Sequence, residues 1–466
     1  MMNRIFILLA FCLAGTFSVT ELYCSQKSVK EGRAKSFTCQ NSLGDEVSAF
    51  FDARLSGETV LFQESEMIGD KSVGKSVSCV WDLWRKANHD FHEEKLLPLG
   101  SLSDNTIGYW HLPDSLEPDA VMPYYWGTKG DCLEEGYPLF IYIHGSGDRD
   151  EEWSAGRRLA GIFDDAPSLY FIPQIPNTGP WYRWWQQSKQ YVWEKLFRQV
   201  LLMDNVNPDR IYFLGVSEGG YGSQRLASFY ADYLAAAGPM AGGEPLKNAP
   251  AENCASIGFS LRTGAEDYGF GRCVLTEYVK ERFDSLETVH PGYFRHWVDV
   301  IPGMGHGIDY SPTAPWLSGF KRNSRPSYVA WEDFSMDGRR REGFYNIQVL
   351  ERSSDDENSR MYYEMSVSDN KVSLSVSDVE YRTVETIPGT DIAMKFERSY
   401  SPSENGRFII YFDSGMIDVS KPVTVEVNGT IAFQGKLRAD IKNMVNSCAV
   451  FFDPARVFPY AVEVKF

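Results

Sequence analysis

The chain has 466 residues, 43% of them hydrophobic and 14% aromatic, with a formal net charge of −17 and a pI near 5.0. That much apolar surface offsets chain entropy and excludes intrinsic disorder, and the negative charge excludes a general binder of nucleic-acid backbones. At ~150 residues per domain, the length accommodates two or three domains.

The first apolar run, Ile5–Val19 behind Arg4, is shorter than the roughly 20 residues a membrane-spanning helix needs. A basic flank, an apolar stretch and the small residues Thr16 and Ser18 read as a secretory signal peptide, residues 1–18, cleaved after Ser18. A periplasmic or secreted protein with no remaining membrane anchor is therefore expected. Removing Cys12 leaves Cys24, Cys39, Cys79, Cys132, Cys254, Cys273 and Cys448. An oxidising compartment permits disulfides, and the odd count leaves at least one free thiol. Cys254 and Cys273 flank one predicted strand and are placed to pair. No C-x-x-C pattern occurs, so no metal is expected.

Residues 19–135 read as a mixed β/α extension packing on the core. Val47–Ala53 and Thr59–Gln63 have β character, and Val80–Leu97 has helical character with His89 and His92 three residues apart. No third ligand follows those histidines, so they read as solvated helix residues. Residues 136–322 are clearer. Pro138–His144, Ser168–Ile175, Arg210–Val216, Ala235–Ala241, Ile257–Thr263 and Phe294–Ile301 are apolar strand patterns. Helical patterns, Trp181–Asp204 and Gly220–Leu234 among them, alternate with these strands. Strands apolar on both sides predict a mostly parallel, doubly wound α/β sheet with both faces covered. Beyond a composition change at Lys321–Pro326, residues 323–466 show short alternating segments that predict an antiparallel β-sandwich. Its clearest hairpin is Val423–Gly435, where Asn428-Gly429 suits a type I′ turn.

The chemistry concentrates in the middle. Gly215-Val216-Ser217-Glu218-Gly219 is a G-x-S-x-G pattern with a strand running in and a helix running out. A serine on such a tight turn stands above the sheet edge as a nucleophile, here Ser217. Upstream, His144-Gly145-Ser146-Gly147 ends an earlier strand. The N–H groups of that loop, at Gly145 and Ser146, and that of Glu218 are candidates for an oxyanion hole. His144 itself reads as structural. A general base is needed downstream. His306, in Gly303-Met304-Gly305-His306-Gly307, lies just past a strand end, whereas His296 is inside a strand and His290 precedes Pro291. Asp267, in the turn after Ile257–Thr263, is the first choice to orient it, with Glu266 and Glu244 as alternatives and Asp309 too close in sequence.

In this order His144–Gly147, Gly215–Gly219, Asp267 and His306 resemble the α/β-hydrolase superfamily. The stretch Asn207–Gly222 is similar to secreted esterases of the polyhydroxybutyrate-depolymerase, feruloyl-esterase and dienelactone-hydrolase-like group. The layout of extension, core and β-rich C-terminal domain resembles carbohydrate esterases secreted by gut Bacteroidetes, some acting on pectin methyl esters. The resemblance implies a Ser217–His306–Asp267 triad, two-step acyl transfer and no metal or organic cofactor. It also implies a carbohydrate-linked methyl, acetyl or feruloyl ester as substrate.

Trp181-Tyr182-Arg183-Trp184-Trp185 precedes the nucleophile strand. Trp181, Trp184 and Trp185 are candidates to stack on sugar rings and Arg183 to pair with a carboxylate, although two of these rings would equally fill the core. Two other readings remain: a serine peptidase on the same fold, and a catalytically silent glycan-binding module. Peptidases on this fold often carry a propeller first. The ~115 residues between signal and core are too few for one at ~40–45 residues per blade.

Overall fold

The computed structural model describes residues 39–466; the segment read as a signal peptide and Cys24 lie outside the described residues. Two helices come first, α1 (Ser42–Leu55) and α2 (Val73–Asp90). The run Val47–Ala53, expected as a strand, lies inside α1. Val47, Phe50 and Phe51 recur at i, i+3 and i+4 and bury one helical stripe, which overrides the β preference of the aromatics. Asn41 caps this helix, accepting the Gly44 N–H at 3.0 Å. Thr59–Gln63 joins no ladder; instead the Asn446 side chain accepts the Phe62 N–H at 2.9 Å and donates to its carbonyl at 3.0 Å. Helix α2 ends at Asp90, short of the expected Leu97, because Phe91 turns extended.

Eight strands form the central sheet: β1 (Ile107–His111), β2 (Val121–Lys129), β3 (Tyr137–Ile143), β4 (Ser168–Pro173), β5 (Val206–Val216), β6 (Ala236–Met240), β7 (Gly258–Gly264) and β8 (His296–Ile301). Their order is β1-β2-β4-β3-β5-β6-β7-β8, and all pairs from β4 onward are parallel. β2 runs antiparallel to both its neighbours. The sheet thus starts at Ile107, upstream of the boundary expected at 136. Its first strand alternates exposed and buried residues like an edge, unlike the wholly buried β3 and β4.

Alternation along β3 sorts the core. Leu139, Ile141 and Ile143 join the cluster containing Trp193, Leu196 and Phe197 of α4 (Gln187–Val200) and Leu226 of α5 (Glu218–Tyr230). Val279 and Phe283 of α6 (Arg272–Val289) join it too. Phe140 and Tyr142 meet Trp153 and Ala160 of α3 (Arg149–Ile162) and Ala314 and Leu317 of α7 (Thr313–Ser318) on the other face. Helices therefore cover both faces, and every parallel strand ends at one rim.

The C-terminal region stacks two sheets. One holds β9 (Tyr328–Asp333), β11 (Met361–Ser368), β12 (Lys371–Thr386), β13 (Ala393–Pro402), β15 (Val423–Val427) and β16 (Thr430–Gly435). The other holds Gly343–Phe344, β10 (Ile347–Glu351), β14 (Arg407–Phe412) and β17 (Tyr460–Lys465). The Asn428-Gly429 turn has positive φ at both residues, 48° and 78°, as a type I′ turn requires. One pairing departs from the expected antiparallel pattern: β12 and β15 run parallel. Helix α8 (Ile441–Phe451) was not expected in a β-sandwich. It is buried on most sides, with the polar Asn446 and Ser447 inside beside the apolar residues, so its buried face is not a plain apolar stripe in the sequence.

Charged side chains lock the two regions together. Asp232 accepts from Arg341 at 3.0 Å and from Arg456 at 2.5 Å, and Asp453 accepts from Arg322 and Arg456, each at 2.7 Å. Asp232, Asp453, Arg322 and Arg456 have no exposed side-chain surface. A second group joins Glu252 to Arg282 and Arg398.

Cys39 and Cys79 form a disulfide across 5.7 Å between Cα atoms. Cys254 and Cys273, expected as a pair, are both buried and not bonded to each other, and among the described residues Cys132 and Cys448 have no disulfide partner either. Burial pushes the Cys254 thiol up to about 12, which suits a packing role. Among the described residues no helix is long and apolar enough to cross a membrane, and no three His, Cys, Asp or Glu side chains gather around a metal position.

Candidate active site

Ser217 lies where β5 turns into α5. Its φ of 56° and ψ of −113° are conformations a residue with a Cβ rarely adopts, at a typical cost of about 1–3 kcal/mol. Hydrogen bonds hold it there: its N–H donates to the Met240 carbonyl at 3.0 Å, and its own carbonyl accepts the Tyr221 N–H at 3.0 Å. The flanking glycines are a steric demand. A Cβ on Gly215 would stand 2.5 Å from the Ile143 carbonyl oxygen, and one on Gly219 closer still.

Two further rim loops meet beside it. His306 Nδ1, after β8, lies 2.7 Å from Asp267 Oδ2, after β7. The other oxygen of Asp267 accepts from Arg272 Nη1 at 2.8 Å, so a nearly buried carboxylate has a donor on each side. With Nδ1–H given to Asp267, the imidazole keeps its Nε2 lone pair for a proton. The loops are laced together, since the Glu266 N–H donates to the Met304 carbonyl at 2.8 Å. Of the three carboxylates weighed from the sequence, only Asp267 meets the ring. Glu266 is exposed, and Glu244 pairs with Arg225 at 2.8 Å. His296 is packed, with Nδ1 2.8 Å from the Phe294 carbonyl oxygen, and His290 stacks on Tyr328.

No hydrogen bond joins the Ser217 hydroxyl to His306. Glu152, on α3, stands near both. Its Oε2 is 2.9 Å, and Ser217 Cβ 3.4 Å, from the point where a Gly145 side chain would begin. Burial pushes its carboxyl up, while the Gly145 N–H and the His306 charge pull it down. Glu152 was not singled out in the sequence, where it lies within the acidic first turn of α3.

The His144–Gly147 loop is anchored from behind. His144 is fully buried. Its Nδ1–H faces the Gly145 carbonyl at 2.7 Å, and its Nε2 accepts the Ile175 N–H at 3.1 Å. Burial pushes this ring down to about 4, so it is neutral and structural, as expected. The Tyr182 hydroxyl donates to the Gly145 carbonyl at 2.8 Å, and the Trp184 indole donates to the His144 carbonyl at 2.9 Å. Across a trans peptide, C=O and N–H point in opposite directions. Fixing the Gly145 carbonyl inward therefore turns the Ser146 N–H outward. The Gly145, Ser146 and Glu218 N–H groups all lack a hydrogen bond to a protein acceptor among the described residues; of the two in the loop, the fixed Gly145 carbonyl sets the direction of the Ser146 N–H.

The aromatic segment is thus mostly internal. Trp184, expected as a sugar platform, is wholly buried and works as a strut; its indole had a carbonyl to reach inside the core. Trp181 is half-buried beside Lys189, which forms a buried ion pair with Glu117. Irregular chain from Tyr182 to Gln186 delays α4 to Gln187, later than the expected Trp181. Arg183 is exposed, 3.6 Å from Glu218 Oε1, and the half-buried Trp185 ring carries the Arg225 guanidinium 3.9 Å from its centre. Only Arg183 and Trp185 of this segment stand beside the nucleophile turn with reach to solvent. Burial pushes the Glu218 carboxyl up to about 7 against the pull of Arg183, and its Oε1 has no hydrogen-bond partner.

The sheet order, with β2 reversed and the serine turn after β5, is the α/β-hydrolase arrangement. No protein-family model matches the chain, and no curated protein matches it. Among solved structures it is similar to a thermostable esterase, at 19% identity and a TM-score of 0.38 over 47% of this chain; it spans 64% of that protein's length. It is also similar to an S-formylglutathione hydrolase from Agrobacterium tumefaciens (14% identity, TM-score 0.34, 46% of this chain and 91% of that one). A third is the feruloyl esterase module from Clostridium thermocellum (14% identity, TM-score 0.32, 50% and 96%).

Proposed function

We propose that this protein is a secreted serine esterase that cleaves an ester on a carbohydrate, with Ser217 as nucleophile, His306 as general base and Asp267 as its orienter. The observation that carries this reading is the Asp267–His306 contact of 2.7 Å at the rim where the strained Ser217 turn stands. In the reaction, Nε2 of His306 takes the Ser217 proton as Oγ attacks the ester carbonyl. The Ser146 and Glu218 N–H groups receive the oxyanion, each such donor contributing about 3 kcal/mol. His306 returns the proton to the departing alcohol, leaving an acyl-serine. Water, deprotonated by the same ring, then releases the acid. This step requires a Ser217–His306 hydrogen bond in the substrate complex, a contact of the kind that commonly tightens only when substrate is bound.

Two features support the substrate side. The site is open: the His306 side chain is 45% exposed and Ser146 and Arg183 are exposed, which suits a bulky substrate. The Cys39–Cys79 disulfide supports a compartment outside the reducing cytosol. The methyl, acetyl or feruloyl esters of plant polysaccharides, pectin included, are the proposed class.

The test is hydrolysis of p-nitrophenyl acetate and of such polysaccharide esters, with labelling by a fluorophosphonate. The parent is expected to react with both, and Ser217→Ala to lose labelling and about 10⁴-fold or more in turnover. Turnover that survives the substitution would end the proposal.

A further inference from the structure

The loops carrying Asp267 and His306 also present apolar side chains outward. Tyr268 is 73% exposed and Phe270 67%, and Met304 stands out at the edge of the histidine loop. Isolated exposed aromatics are ordinary, but these flank the acid itself. Phe270 is held at φ 54° and ψ 22°, a left-handed conformation that a bulky residue seldom keeps without cause. The guanidinium of Arg272, anchored on Asp267, lies 5.4 Å from the Phe270 ring centre, which leaves the ring its outward surface. The loop is braced from the C-terminal region. Beyond Tyr381, β12 and β13 continue as a two-stranded ribbon whose Met394 and Ile387 side chains lie against Gly271. Glu385 of that ribbon accepts from the Tyr278 hydroxyl at 2.6 Å on α6. The backbone that carries the two rings is therefore braced beside the Asp267–His306 pair.

We propose that Tyr268 and Phe270 form a stacking subsite for a pyranose ring of the glycan that bears the scissile ester. This rests on the esterase reading of the same site. A sugar presents one face of C–H groups to an aromatic ring and keeps its hydroxyls in water, which matches rings open on their outer side. An aromatic acyl group needs a slot closed on both faces, which rings this exposed do not form. A lipid surface is disfavoured by the exposed carboxylate of Glu266 in the same loop and by the net charge of −17.

The experiment has two arms. Ser217→Ala protein, which cannot consume its ligand, is titrated with acetylated xylan, acetylated mannan and methyl-esterified homogalacturonan by affinity electrophoresis. Adding Tyr268→Ala and Phe270→Ala should weaken binding to the best polymer at least tenfold, and Tyr268→Trp with Phe270→Tyr should restore it. In the active protein, the alanine pair should raise KM on that polymer about tenfold. The ratio of kcat/KM on polymer to that on p-nitrophenyl acetate should fall by a similar factor. Unchanged polymer binding, or an equal loss on both substrates, overturns the subsite, because the rings would then only shape the loop. Hydrolysis of the small ester with no binding to any of the three polymers also overturns it. Failure to hydrolyse any ester would instead defeat the esterase reading. Should the pair not fold, Tyr268→Ala alone carries the test, since that side chain projects into solvent.

Discussion

Arginine and carboxylate side chains crowd two regions of this molecule, the junction between the central α/β sheet with its helices and the C-terminal sheets, and the rim around Ser217. At the junction Asp232, Asp453, Arg322 and Arg456 are dry, and each carboxylate meets at least two guanidinium donors. At the rim Arg183 stands 3.6 Å from Glu218 Oε1, too far for a hydrogen bond, His306 leaves one nitrogen free, and Glu218 Oε1 has no hydrogen-bond partner among the described residues. The same residue types therefore serve opposite ends. At the junction both carboxylates are paired, although Arg456 Nη2 is not, and paired carboxylates fix geometry; at the rim the unpaired Glu218 oxygen and the free His306 nitrogen are groups that a substrate can complete. Substitutions at the rim should cost turnover, and substitutions at the junction should cost stability.

The largest effect belongs to Asp267→Asn. An amide there gives its carbonyl to Arg272 and therefore its N–H₂ to the ring, which turns His306 into the wrong tautomer for taking a proton. Turnover on p-nitrophenyl acetate should fall about 10⁴-fold. Thermal melting should move by no more than a few degrees, because the loop retains its backbone bonds to β8 and the histidine loop. A loss below tenfold would remove Asp267 from the reaction. A collapse in melting temperature would make the rim a structural region like the junction.

Arg456→Met is the converse. It leaves Asp232 and Asp453 each short of a donor with no water to replace it, which typically costs about 3–5 kcal/mol. Burial alone would raise the Asp453 carboxyl, yet Arg322 and Arg456 hold it far below the usual range. A carboxylate lowered in this way stabilises the fold above the ordinary Asp value near 4 and loses that contribution as pH falls below it. The denaturation midpoint of the variant should therefore lie well below the parent's at pH 7, with the gap narrowing only in acid. Equal midpoints at pH 7 would show that the junction does not need the ion pairs.

Much of the rim was legible because its chemistry is local in sequence. Ser217 sits in a five-residue pattern whose glycines are dictated by one passing strand, and His144 and His306 each follow an apolar run. What was illegible depends on contacts between distant segments. Trp184 looks like a surface aromatic until the His144 carbonyl is seen to need a donor. Glu152 and Arg272 are unremarkable charges in helices until the fold brings them to Gly145 and Asp267. Helix α1 was hidden because Phe50 and Phe51 suit strands as readily as helices. Strands β1 and β2 were missed because an edge hairpin lacks the continuous apolar run of β3. The junction left no local mark, since Asp232 and Arg456 lie 224 residues apart.

The smallest effect separates the regions by the sign of their pH dependence. Burial raises Glu218 from 4.5 to about 7, so the folded chain binds a proton there that the unfolded chain releases. Its contribution is most favourable below pH 4.5 and is lost as pH climbs through 7, the reverse of Asp453. At 1.36 kcal/mol per pH unit, this amounts to a penalty on the order of 3 kcal/mol at pH 8. Glu218→Gln removes the penalty while keeping the backbone N–H and the shape of the side chain. The variant should melt a few degrees above the parent at pH 8 and level with it at pH 4. An offset that stays constant across this range would mean that Arg183 keeps Glu218 charged throughout. The nucleophile turn would then hold a paired, charged carboxylate as the junction does, and the contrast between the two regions would fail where it should be sharpest.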